Sequence, residues 1–185
     1  MGVRSRIVLV GASSTGKSTV AELLKRDLSS YEFVAESTRT VLSYGFPINE
    51  EGTSVTQLAI SNFHLEALLS KKDLVLDRGY LDLVVYSRLL DNIDQKVLTY
   101  IEETWKRIKQ NYTGYVYFPI EFKSVDDGVR SVNEDWRRAV DKEFVRELEN
   151  SNIEYLTVSG SPMQRVNQIL KNENFLQGFD LSKIL

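Results

Sequence analysis

The sequence contains no cysteine, one histidine and three prolines among its 185 residues. Without cysteine it can form no disulfide framework, no thiolate metal site and no cysteine nucleophile. No apolar run is long enough for a signal peptide or a membrane span, and a formal net charge of −3 gives no general attraction for nucleic acid. These absences predict a cytoplasmic protein with no membrane partner, which could meet nucleic acid only through a local basic patch.

Short aliphatic runs alternate along the chain with longer segments of helical periodicity. Strands are predicted at 6–10, 32–36, 73–77, 114–122 and 153–159. Helices are predicted at 17–29, 54–69, 80–90, 93–110 and 133–150, with a further helical turn that ends near Gly45 and a last helix that starts around Pro162. Because strands alternate with helices, the pattern predicts an α/β fold with a five-stranded parallel sheet and helices on both faces. No repeat or linker divides the sequence, so we expect one domain over residues 1–185.

The helix predicted at 54–69 carries three further expectations. Its first four residues, Ser-Val-Thr-Gln, match a capping box. Its buried side is expected to hold the apolar residues Leu58, Phe63, Leu65 and Leu68. His64 lies in the same helix without a histidine or cysteine partner, so we expect it on the surface or half-buried, and not in a metal site.

The stretch IVLVGASSTGKSTV, residues 7–20, joins a buried strand to a helix through small residues. Residues 11–18 satisfy G-x-x-x-x-G-K-[ST] in the strand–loop–helix context of a phosphate-binding loop, or P-loop. Glycines let successive N–H groups point inward around a phosphate, Lys17 can reach the β- and γ-phosphates, and the Ser18 hydroxyl can bind Mg²⁺. The residues predicted here to bind ATP are Gly11, Ser13, Ser14, Thr15, Gly16, Lys17, Ser18 and Thr19. The sequence therefore predicts a P-loop NTPase fold that uses ATP and Mg²⁺.

The end of the third strand separates the classes of P-loop protein. GTPases carry an Asn-Lys-x-Asp motif, which this sequence lacks, and hydrolytic ATPases commonly place Glu after the strand-end Asp to polarise water. Here Asp77 is followed by Arg78, which is better suited to clamping an anionic or hydroxyl-bearing substrate. The pattern favours a kinase that transfers the γ-phosphate of ATP to an alcohol group.

Acidic and basic side chains follow the second and third strands, at the sheet edge where the P-loop lies. Glu36 and Arg39 could hold and deprotonate the acceptor hydroxyl. Asp77 could bind Mg²⁺, directly or through water, or bind the acceptor, and the sequence does not decide which of Glu36 and Asp77 is the base. Tyr44 and Phe46 border the expected acceptor pocket and could stack on a nucleobase.

Arginines follow the fourth strand in a predicted lid at about 123–140, where Asp126-Asp127-Gly128 is a candidate hinge. Arg130 is expected to neutralise charge on the transferring phosphoryl group, as an arginine finger does. Arg137 and Arg138 are expected to supply at least one further contact to ATP. The predicted catalytic set is Lys17, Glu36, Asp77 and Arg130.

The chain resembles the small P-loop ATPase/kinase family that includes the nicotinamide riboside kinase domain and phage-encoded relatives. The resemblance rests on four segments, GASSTGKST, VAESTRTVL, VLDRGYLD and DDGVRSVNEDWRRAVDKEF. It implies a nucleoside-kinase-like fold, ATP and Mg²⁺, and phosphorylation of a hydroxyl on a nucleoside or related compound, in the host cytoplasm for a phage-encoded member. The Asp77-Arg78 pair is similar to the motif at that point in thymidylate and deoxynucleoside kinases.

Three functions follow from these residues and this resemblance. The first is a kinase for a nucleoside, a nucleotide or a related compound. The second is a DNA kinase, because the Glu36 and Arg39 pair is similar to the base-and-arginine pair of polynucleotide 5′-kinases, and phage enzymes that phosphorylate 5-hydroxymethyluracil in DNA lie near this family. The third is a regulatory P-loop ATPase or nucleotide switch, against which the Asp77-Arg78 pair argues.

Overall fold

A computed structural model of the protein describes residues 4–124 and 133–172. The strands are β1 (Arg6–Val10), β2 (Glu32–Val34), β3 (Leu74–Asp77), β4 (Gly114–Tyr117) and β5 (Tyr155–Thr157). The helices are α1 (Lys17–Asp27), α2 (Ser37–Ser43), α3 (Ser54–Ala67), α4 (Tyr80–Leu89), α5 (Gln95–Ile108), α6 (Glu134–Asn150) and α7 (Pro162–Leu170). Two short 3₁₀ turns, Asn49–Glu51 and Lys109–Asn111, complete the described elements.

All five strands run parallel, in the order β2-β3-β1-β4-β5. β1 lies in the middle of the sheet, where Leu9 pairs with Asp77 of β3 and Val10 pairs with Tyr117 of β4. The carboxyl ends of parallel strands meet at one edge, so the segments after β1, β2 and β3 gather there. This topology brings together the strand-end residues that the sequence singled out.

Side chains of β1 alternate between two apolar clusters, as the two-residue period of a strand requires. Ile7 and Leu9 belong to a cluster that includes residues of α1 and α7, whereas Val8 and Val10 belong to a larger cluster with residues of α4, α5 and α6. Helices therefore cover both faces of the sheet, and the predicted α/β architecture is confirmed. The central part of the predicted arginine lid, residues 125–132, lies outside the described residues.

β4 ends five residues earlier than its predicted end at residue 122. The N–H of Phe118 still donates to the carbonyl of Val10 at 2.9 Å, but Pro119 has no N–H with which to extend the ladder. The predicted apolar run 114–122 is therefore a short strand followed by a loop. That loop lies against the P-loop, where the carbonyl of Phe118 contacts Gly11.

α3 departs from two expectations made for it, its capping box and its apolar buried side. Its capping box is formed by Thr53 and Thr56, one residue before the predicted pair. Its buried residues are mostly polar: Thr56, Gln57, Ile60, Ser61 and His64. Leu58 is exposed, Phe63 and Leu65 are partly buried against the core, and Leu68 is buried as expected. The prediction of an apolar inner face was wrong because this face borders a cleft rather than the core.

None of the helices described at residues 4–124 and 133–172 combines the length and the apolar character of a membrane span.

Candidate active site

The P-loop adopts a backbone that needs its two glycines. Gly11 has φ +138°, and a Cβ added there would lie 2.5 Å from the carbonyl oxygen of Phe118 in the loop after β4. Gly16 has φ +89° and caps the N-terminus of α1 in the left-handed conformation. The Ser14 hydroxyl oxygen is buried and has no hydrogen-bond partner among the described residues, so it is available to a ligand.

Lys17 is folded back onto its own loop. Its Nζ donates to the carbonyls of Gly11 and Ala12, at 2.8 and 2.7 Å, and to the Thr15 hydroxyl at 3.2 Å. Burial, and secondarily the guanidinium of Arg78, lower the pKa of Lys17 from 10.5 to about 7. A triphosphate in the loop would favour the charged ammonium again, because opposite charges stabilise each other at short range.

Asp77 ends β3 beside the P-loop strand and is buried. Its Oδ1 has no hydrogen-bond partner among the described residues, which is unusual for a buried carboxylate oxygen. Ser18 is half-buried in the first turn of α1, and Thr19 beside it is exposed. An orphaned carboxylate oxygen and a hydroxyl are hard oxygen ligands, the chemistry that Mg²⁺ prefers when phosphates and water supply the rest of its shell. Both residues therefore fit the predicted role at the metal.

Arg78 lies at the centre of a buried ion-pair network. Its Nε donates to Glu36 Oε1 at 2.6 Å, and its Nη1 donates to Asp82 Oδ1 at 3.1 Å and to the Tyr86 hydroxyl at 3.4 Å. Its backbone has φ +75°, a left-handed conformation that non-glycine residues rarely adopt. Burial raises the pKa of Asp82 to about 6, although Arg78 opposes this effect. Arg39, which the sequence paired with Glu36, is half exposed, with its Nε 4.0 Å from Glu36 Oε2.

An open cleft lies between the P-loop and α3. Ser13 of the P-loop lines it on one side, and Glu36, Arg78, Asp82 and Tyr86 line it on another. The cleft is thus next to the P-loop and is lined by Glu36 and Arg78, whereas Arg39, which was predicted to act with Glu36, is not among its lining residues. Asp77 is not among its lining residues.

The polar face of α3 closes the cleft and was missed by the sequence analysis. Gln57 is buried, and its Oε1 accepts from the Ser87 hydroxyl at 3.3 Å, which fixes its side chain. His64 is 4% exposed instead of lying at the surface, and burial together with Arg78 lowers its pKa to about 4. At neutral pH it is therefore an uncharged imidazole, able both to donate and to accept a hydrogen bond. Polar residues at helical spacing, 57, 61 and 64, were the available signal.

The aromatic residues expected to stack on a base lie elsewhere. Tyr44 is 70% exposed, and Phe46 is packed against the apolar core. Neither lines the cleft, whereas Tyr86 does. The ring of Tyr86 lies 6.5 Å from that of Trp136 in α6, at an interplanar angle of 60°.

The predicted ATP-binding arginines have different surroundings. Arg137 is buried and donates to the carbonyls of Ser13, at 2.8 Å, and Ser14, at 3.3 Å. Arg138 is exposed and lines a groove between α6 and the loop after β4. Arg130 and the candidate hinge at 126–128 lie outside the described residues.

Arg165 in α7 is a further residue of the site that sequence reasoning missed. It is 1% exposed, and its Nη1 donates to the carbonyl of Thr15 in the P-loop at 2.5 Å. Its Nη2 donates to Glu121 at 2.8 Å, and its guanidinium lies over the rings of Phe118 and Phe122. No local pattern in α7 signals this contact, which joins residues 150 positions apart in the chain.

Solved structures similar to this chain share its fold at low sequence identity. The structure of a NadR protein in complex with NR has a TM-score of 0.74 and 16% identity; the similarity covers 90% of this chain and 51% of that one. Thymidylate kinase from Candida albicans has a TM-score of 0.64 and 16% identity, and 93% of each chain is covered. Deoxyadenosine kinase from M. mycoides has a TM-score of 0.69 and 16% identity, with coverage of 91% and 98%. The present chain spans about half the length of the NadR protein.

A comparison with curated proteins gives no significant match. A family model described as an AAA domain matches residues 6–165, which include the P-loop, the Glu36–Arg78 pair and Arg165. The nucleoside-kinase-like P-loop fold implied by the resemblance is confirmed by this match and by the similar structures. The chain belongs to this AAA-domain family of P-loop proteins.

Proposed function

We propose that this chain is an ATP- and Mg²⁺-dependent kinase that phosphorylates a hydroxyl group of a nucleoside or a closely related compound. The observation that carries the proposal is the position of Glu36. Its carboxylate lines the same cleft as Ser13 of the P-loop and is held by Arg78 at 2.6 Å. A base so placed can serve an acceptor hydroxyl that faces the end of a bound triphosphate.

The reaction is a single displacement at the γ-phosphorus. The acceptor oxygen forms a bond to phosphorus, its proton passes to the Glu36 carboxylate, and the bond from phosphorus to the bridging oxygen breaks to release ADP. We assign the base to Glu36 rather than Asp77 because Glu36 lines the cleft and Asp77 does not. Lys17 and the N–H groups of the P-loop would hold the phosphates, and Ser18 and Asp77 would hold Mg²⁺, which neutralises charge on the phosphate oxygens when bound.

The charges of the cleft favour an acceptor without a phosphate group. Among the described residues that line the cleft are two carboxylates, Glu36 and Asp82, and one guanidinium, Arg78, which already binds both of them. No second cation in this lining is left to pair with the phosphate of a nucleotide acceptor. The neutral, hydrogen-bonding side chains of Gln57 and His64 suit an uncharged polar heterocycle.

A DNA acceptor is a second candidate, supported by Arg39. Its guanidinium is half exposed and lies beside Glu36, where it could meet a backbone phosphate outside the cleft. Binding through phosphates weakens steeply as salt rises because counterions are released. Affinity for hydroxymethylated DNA that is flat between low and moderate salt would exclude this candidate.

The proposal is tested by incubating the protein with labelled ATP, Mg²⁺ and a panel of nucleosides, nucleoside monophosphates and hydroxymethylated DNA. We expect a phosphorylated nucleoside, identified by mass spectrometry, and loss of most product with Lys17→Ala. Lys25→Ala is the matched control, because Lys25 is exposed in the same helix and forms a surface ion pair with Glu22 at 2.6 Å. Release of free phosphate with no labelled acceptor would overturn the proposal and favour a regulatory ATPase.

A further inference from the structure

Five successive carbonyl groups of the P-loop, at residues 11–15, each accept a hydrogen bond from a cationic side chain. Lys17 binds the first two, Arg137 binds the next two, and Arg165 binds the fifth. All three cations are buried, with between 1% and 4% of each exposed. Such complete coverage of one side of a loop by buried charge is not needed to join a strand to a helix.

We infer that Arg137 and Arg165 are positioning residues, which hold the N–H groups of the P-loop toward the phosphates of a bound nucleotide. In a trans peptide unit the C=O and the N–H point in opposite directions. Fixing the carbonyls of residues 13–15 therefore fixes the direction of the N–H groups of residues 14–16. The inference rests on the proposed function, because these directions matter only if the loop binds a nucleotide.

Lys17 cannot provide this support once a nucleotide is bound. To reach the β- and γ-phosphates its ammonium group must leave the carbonyls of Gly11 and Ala12. Arg137 and Arg165 have other anchors and can stay: Glu134 pairs with Arg137 at 3.2 Å, and Glu121 pairs with Arg165 at 2.8 Å. The two arginines are thus the permanent contacts to the loop, and Lys17 is the mobile one.

Arg165 is also packed as tightly as a positioning role requires. A Cβ added at Gly16 would lie 3.2 Å from its Nη1, so the loop and the guanidinium are in direct contact. Phe118 and Phe122 flank the guanidinium, with ring centroids 5.5 and 5.3 Å from its central carbon. Glu121 accepts from both Arg165 and the N–H of Gly160, so it joins the loop after β4 to the turn before α7. A guanidinium that is always charged and forked makes these contacts together, which a lysine cannot.

The test separates nucleotide binding from stability. Arg165→Met and Arg137→Met keep much of the apolar stem but remove the donors to the loop. Their dissociation constants for a non-hydrolysable ATP analogue are measured by calorimetry, and the unfolding midpoint is measured without nucleotide. We expect the dissociation constant to rise about 10- to 100-fold for each variant, the range for losing hydrogen bonds from a charged donor. Arg165→Lys, which keeps the charge and one donor, should recover part of the affinity.

Arg88→Met is the matched control, because Arg88 is also an ion-paired arginine but binds three glutamates and, in the described structure, no P-loop atom. It should lower the unfolding midpoint while nucleotide affinity stays at the parental value. If Arg165→Met does not fold, Arg165→Lys and Arg137→Lys carry the test, with intermediate losses of affinity expected. Arginine variants that bind like the parent, or that lose affinity only in proportion to stability as Arg88→Met does, would overturn the inference. A parent that binds no nucleotide would instead overturn the proposed function.

Discussion

Glu36 is the residue whose replacement most directly tests the chemistry. Glu36→Gln keeps the shape of the side chain and a hydrogen-bond acceptor for Arg78, but removes the base. We expect turnover to fall by about 10²- to 10⁴-fold, the usual contribution of general-base catalysis, with the KM for ATP unchanged. Steady-state kinetics at saturating acceptor would measure this.

Asp77→Asn provides the comparison at the neighbouring strand end. Because Asp77 is assigned to Mg²⁺, its variant should need a higher Mg²⁺ concentration for half-maximal activity and should recover as Mg²⁺ is raised. Glu36→Gln should not recover in this way. The reverse pattern would mean that Asp77 is the base and that the assignment made here is wrong.

The lowered pKa of the buried His64 predicts how the stability of the protein depends on pH. Its pKa is about 4 in the folded protein and 6.5 in the unfolded chain, so the unfolded chain binds more protons between these values. The free energy of unfolding is therefore undiminished by this residue above pH 6.5 and falls as the pH drops from 6.5 toward 4. The total decrease caused by His64 is at most about 3 kcal/mol.

His64→Gln should remove the decrease in the free energy of unfolding that protonation of His64 causes in acid. Asp82 acts in the opposite direction, because its pKa is raised in the folded state, and stability from it increases as the pH falls through about 6. The Asp82 contribution is common to parent and variant, so the difference between their urea unfolding curves isolates His64. Parallel curves from pH 7 to pH 4.5 would show that His64 is not held neutral by its surroundings.

At the scale of elements, the junction of β1 and α1 is held by the loop after β4. In Gly11→Ala the new methyl group would meet the carbonyl oxygen of Phe118, and its φ of +138° is disfavoured for alanine. We expect the free energy of unfolding to fall by about 2 kcal/mol or more, since neither backbone segment can move aside.

Gly45→Ala is the control for that prediction. Gly45 has φ +85°, but a Cβ added there would meet nothing within 4 Å. Gly45→Ala should therefore lower the free energy of unfolding only by the strain of the left-handed backbone, about 1 kcal/mol. Equal losses for the two variants in urea denaturation would mean that the contact with Phe118 is not decisive.

Local patterns predicted the parts of this molecule that are contiguous in sequence. The P-loop is readable because its glycines, Lys17 and Ser18 lie within eight consecutive residues. Glu36, Asp77 and Arg78 are recoverable because parallel strands end at one edge of the sheet. The inner face of α3 was not predicted, because a helix that borders a cleft buries polar residues that look like a solvent-exposed face. Arg165 was not predicted either, since its partner Thr15 lies at the other end of the chain.

At the scale of the whole molecule, Arg88 joins three helices. It donates from α4 to Glu102 of α5 and to Glu143 and Glu147 of α6, and Glu147 also accepts from the indole of Trp105 at 2.7 Å. Removing Arg88 would leave Glu102 and Glu147 partly buried without this cation, although Glu143 would keep its pair with Arg146. Arg88→Met should therefore lower the free energy of unfolding by about 2 kcal/mol at neutral pH.

The deficit of Arg88→Met should shrink in acid. Burial raises the pKa of Glu147, but hydrogen bonds from Ser151, Arg88 and Trp105 together outweigh burial and hold this pKa below its usual 4.5. The stabilisation by Glu147 is present above pH 4.5 and is lost as the pH falls through the lower folded value. Chemical denaturation at several pH values would show parent and variant converging, and a constant difference would contradict this account of the network.

The position of Trp136 has a practical consequence. Its ring packs on Tyr86 at the wall of the cleft, and the next residue, Arg137, donates a hydrogen bond to the P-loop. This indole therefore lies near the proposed sites of both substrates. The chain has two tryptophans, and Trp105→Phe would leave Trp136 as the sole fluorophore of that kind. Its emission would then report, without any added label, the order in which donor and acceptor arrive.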